Sequence, residues 1–134
     1  KDLFNFYVDE HSDTLKRYGV EPSLMMTWAY KDKPEMTKSL ASAYITAGNR
    51  NGIMVFPVGL AFQRSQKANP DIELYTPDKR HPSKAGTYLM AAVIYASIYK
   101  VSPVGNSYDY GLGRNIQNRL QKTAWETLSY YKNK

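Results

Sequence analysis

The sequence predicts an α/β protein. Two short, uniformly apolar runs carry that prediction, together with the amphipathic helix between them and the helical periodicity of most of the remaining chain. Leu24-Met25-Met26-Thr27-Trp28 and Ile53-Met54-Val55-Phe56 show no apolar–polar alternation, as expected of parallel strands covered on both faces. Between them Met36, Leu40, Ala43, Tyr44 and Ala47 recur at helical spacing, which makes a strand, helix, strand crossover.

The elements follow in order. Leu3, Phe4, Tyr7, Val8, His11, Leu15 and Tyr18 form one helical stripe, and Gly19 stands where a left-handed cap ends a helix. The N-terminus shows neither an initiator Met nor a signal segment, so it reads as the interior of a longer polypeptide. Pro34 suits the first turn of the second helix, Gly48 lies near its end, and Asn49-Arg50-Asn51-Gly52 is expected as a turn. Pro57 and Gly59 stop the second strand, and a short helix is expected from about Leu60 to Ala68. Asn69-Pro70-Asp71 and Thr76-Pro77-Asp78 then break regular structure. From Ser83 to about Lys100, Tyr88, Leu89, Ala92, Val93, Ala96 and Tyr99 share one side of a helix apolar enough elsewhere to predict nearly complete burial, ended by Pro103 and Gly105. The last helix places Ile116, Leu120, Ala124, Leu128 and Tyr131 on a stripe, with Trp125 at its margin.

At 134 residues the chain has the length of one domain. Its longest apolar run, around Tyr88 to Tyr99, falls short of the about 20 residues a membrane span requires. The net charge of +6 includes Arg114, Arg119 and Lys122 near the C-terminus, which read as a solvated face and predict no nucleic-acid partner. Without cysteine there are no disulfides and no thiolate chemistry, and two histidines do not make a closed zinc site. No metal and no cofactor is expected. Two strands fall below the about five or six of a typical sheet, so parallel neighbours are expected from residues before Lys1 or from another polypeptide.

The chemistry concentrates in Asp78-Lys79-Arg80-His81, directly before Pro82-Ser83 and the apolar helix. A carboxylate and an imidazole three residues apart on one loop are able to serve one pocket. In a serine hydrolase the imidazole takes the proton of the attacking hydroxyl and returns it to the leaving group, while the carboxylate fixes the ring's tautomer. Ligand sites in open α/β sheets lie outside the carboxyl ends of the strands, where such loops converge. Trp28, at the end of the first strand, is a candidate for a substrate wall or for loop packing. His11, on an apolar stripe, reads as structural, and most of the twelve tyrosines fall on helical stripes.

The run from Thr76 to Leu89, Thr-Pro-Asp-Lys-Arg-His-Pro-Ser-Lys-Ala-Gly-Thr-Tyr-Leu, resembles the last conserved block of the SGNH (GDSL-type) hydrolases. Pro22 to Trp28 is similar to that family's fourth strand and Ile53 to Gly59 to its fifth. The resemblance covers residues 1–105 as the C-terminal part of a three-layer α/β/α, flavodoxin-like domain, with 106–134 as an amphipathic helical extension. It implies that His81 is the general base and Asp78 the acid that orients it, in an esterase acting on an acyl or acetyl ester of a carbohydrate or lipid. It also leans toward a secreted or periplasmic setting. The family's nucleophile lies in a Gly-Asp-Ser segment after the first strand, and its oxyanion hole adds a Gly and an Asn from later loops. None of the ten serines here has that context, and Gly48-Asn49-Arg50-Asn51 follows a helix where the family's Gly-x-Asn-Asp block follows a strand. The serine, Gly and Asn are thus expected from a missing N-terminal segment or a complementary chain. The rival expectation is a non-catalytic binding or structural module that associates with another chain.

Overall fold

The structure, a computed structural model, describes residues 2–132; Lys1 and Lys134, which bound the sequence reading, lie outside the described residues. Five helices and two strands alternate as α1 (Asp2–Arg17), β1 (Ser23–Met25), α2 (Met36–Asn51), β2 (Met54–Phe56), α3 (Val58–Ala68), α4 (Lys84–Tyr99) and α5 (Arg114–Lys132). The strands pair in parallel, with Ser23 opposite Met54, Leu24 opposite Val55 and Met25 opposite Phe56. A mixed α/β fold with a parallel sheet is therefore what the two apolar runs encode.

Successive strand residues point to opposite faces, and the β2 side chains show what covers each. Val55 meets α2 so closely that a Cβ on Gly48 would lie 2.3 Å from Val55 Cγ2. Phe56 joins the other face's core, with Phe62 of α3, Leu89 and Val93 of α4 and Leu120 and Ala124 of α5. Helices thus sandwich the sheet. Leu89, Val93, Leu120 and Ala124 are fully buried, and burying each Leu or Val contributes about 1.5–3 kcal/mol.

Three sequence expectations change. First, Asn49-Arg50-Asn51 is not a turn: α2 runs through Asn51 and is capped by Gly52 at φ 60°. The extra turn is stabilised because Asn51 Nδ2 donates to Asp9 Oδ1 at 2.8 Å and Ala47 O at 2.9 Å, while Arg50 pairs with Asp9. Second, the α1 stripe does not line this chain's core, since Val8 and Ser12 are buried whereas Leu3, Tyr7, Leu15 and Tyr18 are exposed. No described element covers that side of α1. Third, α4 is buried along one side only, with Tyr95, Ile98 and Tyr99 exposed, and it ends when Lys100 takes φ 58° as its left-handed cap, before Pro103 and Gly105 are reached. Arg119 stays at the surface, where its guanidinium forks onto the largely exposed Asp71 at 2.5 and 2.7 Å and its Nε reaches Asn69 Oδ1 at 3.0 Å. Gly19 ends α1 as expected at φ 70°.

Candidate active site

The segment between α3 and α4 folds back on itself as a tight hairpin. Ser83 N donates to Leu74 O at 2.8 Å and Thr76 N to His81 O at 2.9 Å, with Tyr75 and Pro82 forming an antiparallel bridge. Lys79 N closes the tip on Thr76 O at 2.9 Å, and Lys79 itself adopts φ 63°. Ser83 caps α4 by accepting from Gly86 N at 3.2 Å while its hydroxyl donates to Glu73 O at 2.7 Å. One side chain therefore starts the helix and closes the hairpin.

Asp78 and His81 meet at the tip. Asp78 Oδ1 accepts from Thr76 Oγ1 at 2.7 Å, Arg80 N at 2.8 Å and His81 N at 3.0 Å, which leaves Oδ2 to bond His81 Nδ1. The His81 ring, with those backbone and hydroxyl donors, holds the Asp78 carboxyl well below the usual carboxylate range. An ionised carboxylate only accepts hydrogen bonds, so neutral His81 carries its proton on Nδ1 and leaves Nε2 as the acceptor. The imidazole is 79% exposed, and among the described residues no group engages Nε2. None of the ten serines hydrogen-bonds the ring.

The segment after β1 grips this hairpin. Trp28 Nε1 donates to Arg80 O at 2.8 Å, Lys31 N to Lys79 O at 3.0 Å, and Tyr75 Oη to Ala29 O at 2.8 Å. Arg80 lies over the Tyr30 ring at 4.8 Å, and Lys31 pairs with Glu73. Burial pushes the Tyr75 hydroxyl up to about 12, which keeps it a neutral donor. Because residues 28–31 leave the carboxyl end of β1, the dyad stands where an open α/β sheet places its ligand site.

Trp28 stacks on Phe62 at 4.6 Å and 11° and uses its indole N–H on the hairpin, so the contacts it makes are those of loop packing. His11 is exposed on α1, stacked on Tyr7, far in sequence from the dyad and without contact to it. Two participants escaped the sequence reading. Gly86 allows the hairpin to approach α4, since a Cβ there would lie 2.3 Å from Leu74 O; a glycine in an otherwise apolar helix is the available signal. Thr76, which orients Asp78, carries no such signal. Among the described residues no cluster of three or more His, Asp or Glu is arranged to hold a metal ion, and no helix is long and apolar enough to cross a membrane.

No protein-family model matches the chain, and no curated protein does. Among solved structures it is similar to a DUF4886 family protein from Bacteroides uniformis ATCC 8492, with a TM-score of 0.73 and 20% identity over 84% of this chain and 49% of that one. The likeness concerns the fold, and this chain spans about half the length of that neighbour.

Proposed function

We propose that this chain supplies the general base, His81, and its orienting acid, Asp78, to a serine ester hydrolase of the SGNH type. The observation that carries the reading is the dyad itself. Asp78 is fixed by three donors, His81 Nδ1 is bound to it, and Nε2 faces solvent outside the carboxyl end of a parallel strand. That ring is set to take a proton from a hydroxyl brought to Nε2 and to return it to a leaving alcohol. The block from Thr76 to Leu89, whose serine caps α4, adds its resemblance to that family.

The nucleophile then belongs to a segment beyond these 134 residues, in the same polypeptide or in a complementary chain. β1 pairs with β2 on one side only. Its other edge is unpaired among the described residues, and an apolar groove of about 480 Å³ between α1 and the start of β1 is lined by Leu3, Tyr7, Leu15, Pro22 and Leu24. A further parallel strand on that edge brings its carboxyl end to the end that bears Trp28 and the hairpin. Substrates are acyl or acetyl esters of carbohydrate or lipid, as the resemblance implies.

A fluorophosphonate probe applied to the assembled protein, this chain with the segment that completes its sheet, is expected to label a serine. His81→Ala is expected to abolish labelling. Equal labelling of both proteins removes the assignment. The same groove and unpaired edge also suit a non-catalytic module that binds a second chain. Formation of that complex without any serine near His81 selects this second reading.

A further inference from the structure

We infer that Trp28 is a positioning residue for the dyad, acting through the carbonyl of Arg80. The indole is held on two sides. Its ring lies parallel to Phe62, which is buried in the core, and its N–H donates to Arg80 O across 52 residues of sequence. Arg80 is the residue before His81, and its own N–H bonds the same Asp78 oxygen that His81 N bonds. The peptide plane between Arg80 and His81 is thereby fixed at both ends, by the indole at its carbonyl and by Asp78 at its N–H.

Lys79, in the left-handed region, is a residue for which that conformation costs energy and needs outside support. Its carbonyl receives Lys31 N, and the Arg80 carbonyl receives the indole, so both tip carbonyls are satisfied by the segment that follows β1. Of these two donors only the indole is a side chain, and hence only it is open to deletion by substitution. Removing it leaves the Arg80–His81 peptide held at its N–H alone, by Asp78, so the His81 ring approaches Asp78 Oδ2 less rigidly. This inference rests on reading Asp78 and His81 as a proton-transfer pair, and it makes Trp28 a residue that need not touch substrate.

The test uses the chain as it stands and reads the His81 ring directly. Long-range ¹H–¹⁵N correlation at about pH 9, where an ordinary histidine is neutral, reports which ring nitrogen carries the proton. His11, the one other histidine, is exposed on α1 and serves as the internal reference. The parent is expected to show His81 mainly as the Nδ1–H tautomer and His11 with the mixture of free histidine. Trp28→Phe keeps an aromatic ring against Phe62 and loses the donor. In it the ratio of Nδ1–H to Nε2–H at His81 is expected to fall at least threefold, with His11 unchanged. Phe62→Leu removes the stacking partner and keeps the donor, so its ratio is expected to stay within a factor of 1.5 of the parent. If Trp28→Phe fails to fold, 3-benzothienylalanine at position 28 replaces the N–H by sulfur at nearly constant shape, and the same threefold fall is expected. A folded donor-less variant with the parent's ratio overturns the inference. No ester is turned over in this measurement, so its failure leaves the hydrolase reading standing. Conversely, an absent reactive serine removes that reading and leaves the tautomer result intact.

Discussion

Replacing Gly86 by alanine sets two effects of opposite sign against each other. In an exposed helix interior the exchange stabilises by about 0.5–1 kcal/mol, because glycine loses more backbone freedom on folding. In α4 the added methyl would stand 2.3 Å from Leu74 O, 3.1 Å from Phe62 Cζ and 3.1 Å from Pro82 Cβ. An ordinary carbon–oxygen contact is about 3.3 Å, so the carbonyl must retreat by about 1 Å. It has no free direction, since Leu74 O holds Ser83 N at 2.8 Å and Leu74 is itself fully buried. Overpacking of this kind costs about 1–3 kcal/mol, and weakening the Ser83 bond adds about 1 kcal/mol. The clash wins, with a net loss of about 1–3 kcal/mol. Urea unfolding followed by far-ultraviolet circular dichroism reads this as a lower midpoint at unchanged m-value. At roughly 4 °C per kcal/mol for a domain of this size, the melting temperature falls by about 4–12 °C. A Gly86→Ala protein as stable as the parent, or more stable, refutes the close approach of hairpin to helix.

Two further outcomes are expected. Asp71 is held down to about 2 from an ordinary 3.8, chiefly by its hydrogen bond from Arg119. A folded-state value below the unfolded one means that the pair's stabilisation is fully present above about pH 4 and is lost as pH falls through 2. Urea midpoints of Asp71→Asn are therefore expected to change less between pH 5 and pH 2 than those of the parent, and parallel curves refute the coupling. Gln121, fully buried in α5, donates to Tyr88 Oη at 2.8 Å and Asn106 O at 2.9 Å and accepts from Gly105 N at 3.1 Å. Gln121→Leu is expected to cost about 1–3 kcal/mol and to speed limited proteolysis between residues 103 and 111, and unchanged cleavage there removes the clamp.

The elements were legible in the sequence because periodicity and punctuation report local physics. Apolar runs marked both strands, although β1 ends at Met25 and the Trp28 expected at its end lies three residues beyond it, Gly19 marked the end of α1, and the stripe of Leu120, Ala124 and Leu128 marked the buried side of α5. Asp78 and His81 were legible as a pair because they sit three residues apart in a loop of turn formers. What was not legible is whatever depends on distant parts of the chain. The Trp28 bond to Arg80 O spans 52 residues, the Arg119 fork spans 48, and neither leaves a pattern. Periodicity likewise states that Leu3, Tyr7 and Leu15 share a side of α1, and is silent about what covers it. The turn expected at Asn49 to Asn51 failed for the same reason, since Asp9, more than 40 residues earlier, draws Asn51 into the helix.

The span of each contact also divides the site into a local and a long-range part. Asp78 collects its partners from Thr76, Arg80 and His81, all within three residues, so closing that ring costs little loop entropy and needs no search through the chain. The indole bond to Arg80 O spans 52 residues and closes a far longer loop. The acid–base pair thus rests on neighbouring residues alone, whereas its tie to Trp28 rests on the whole intervening fold.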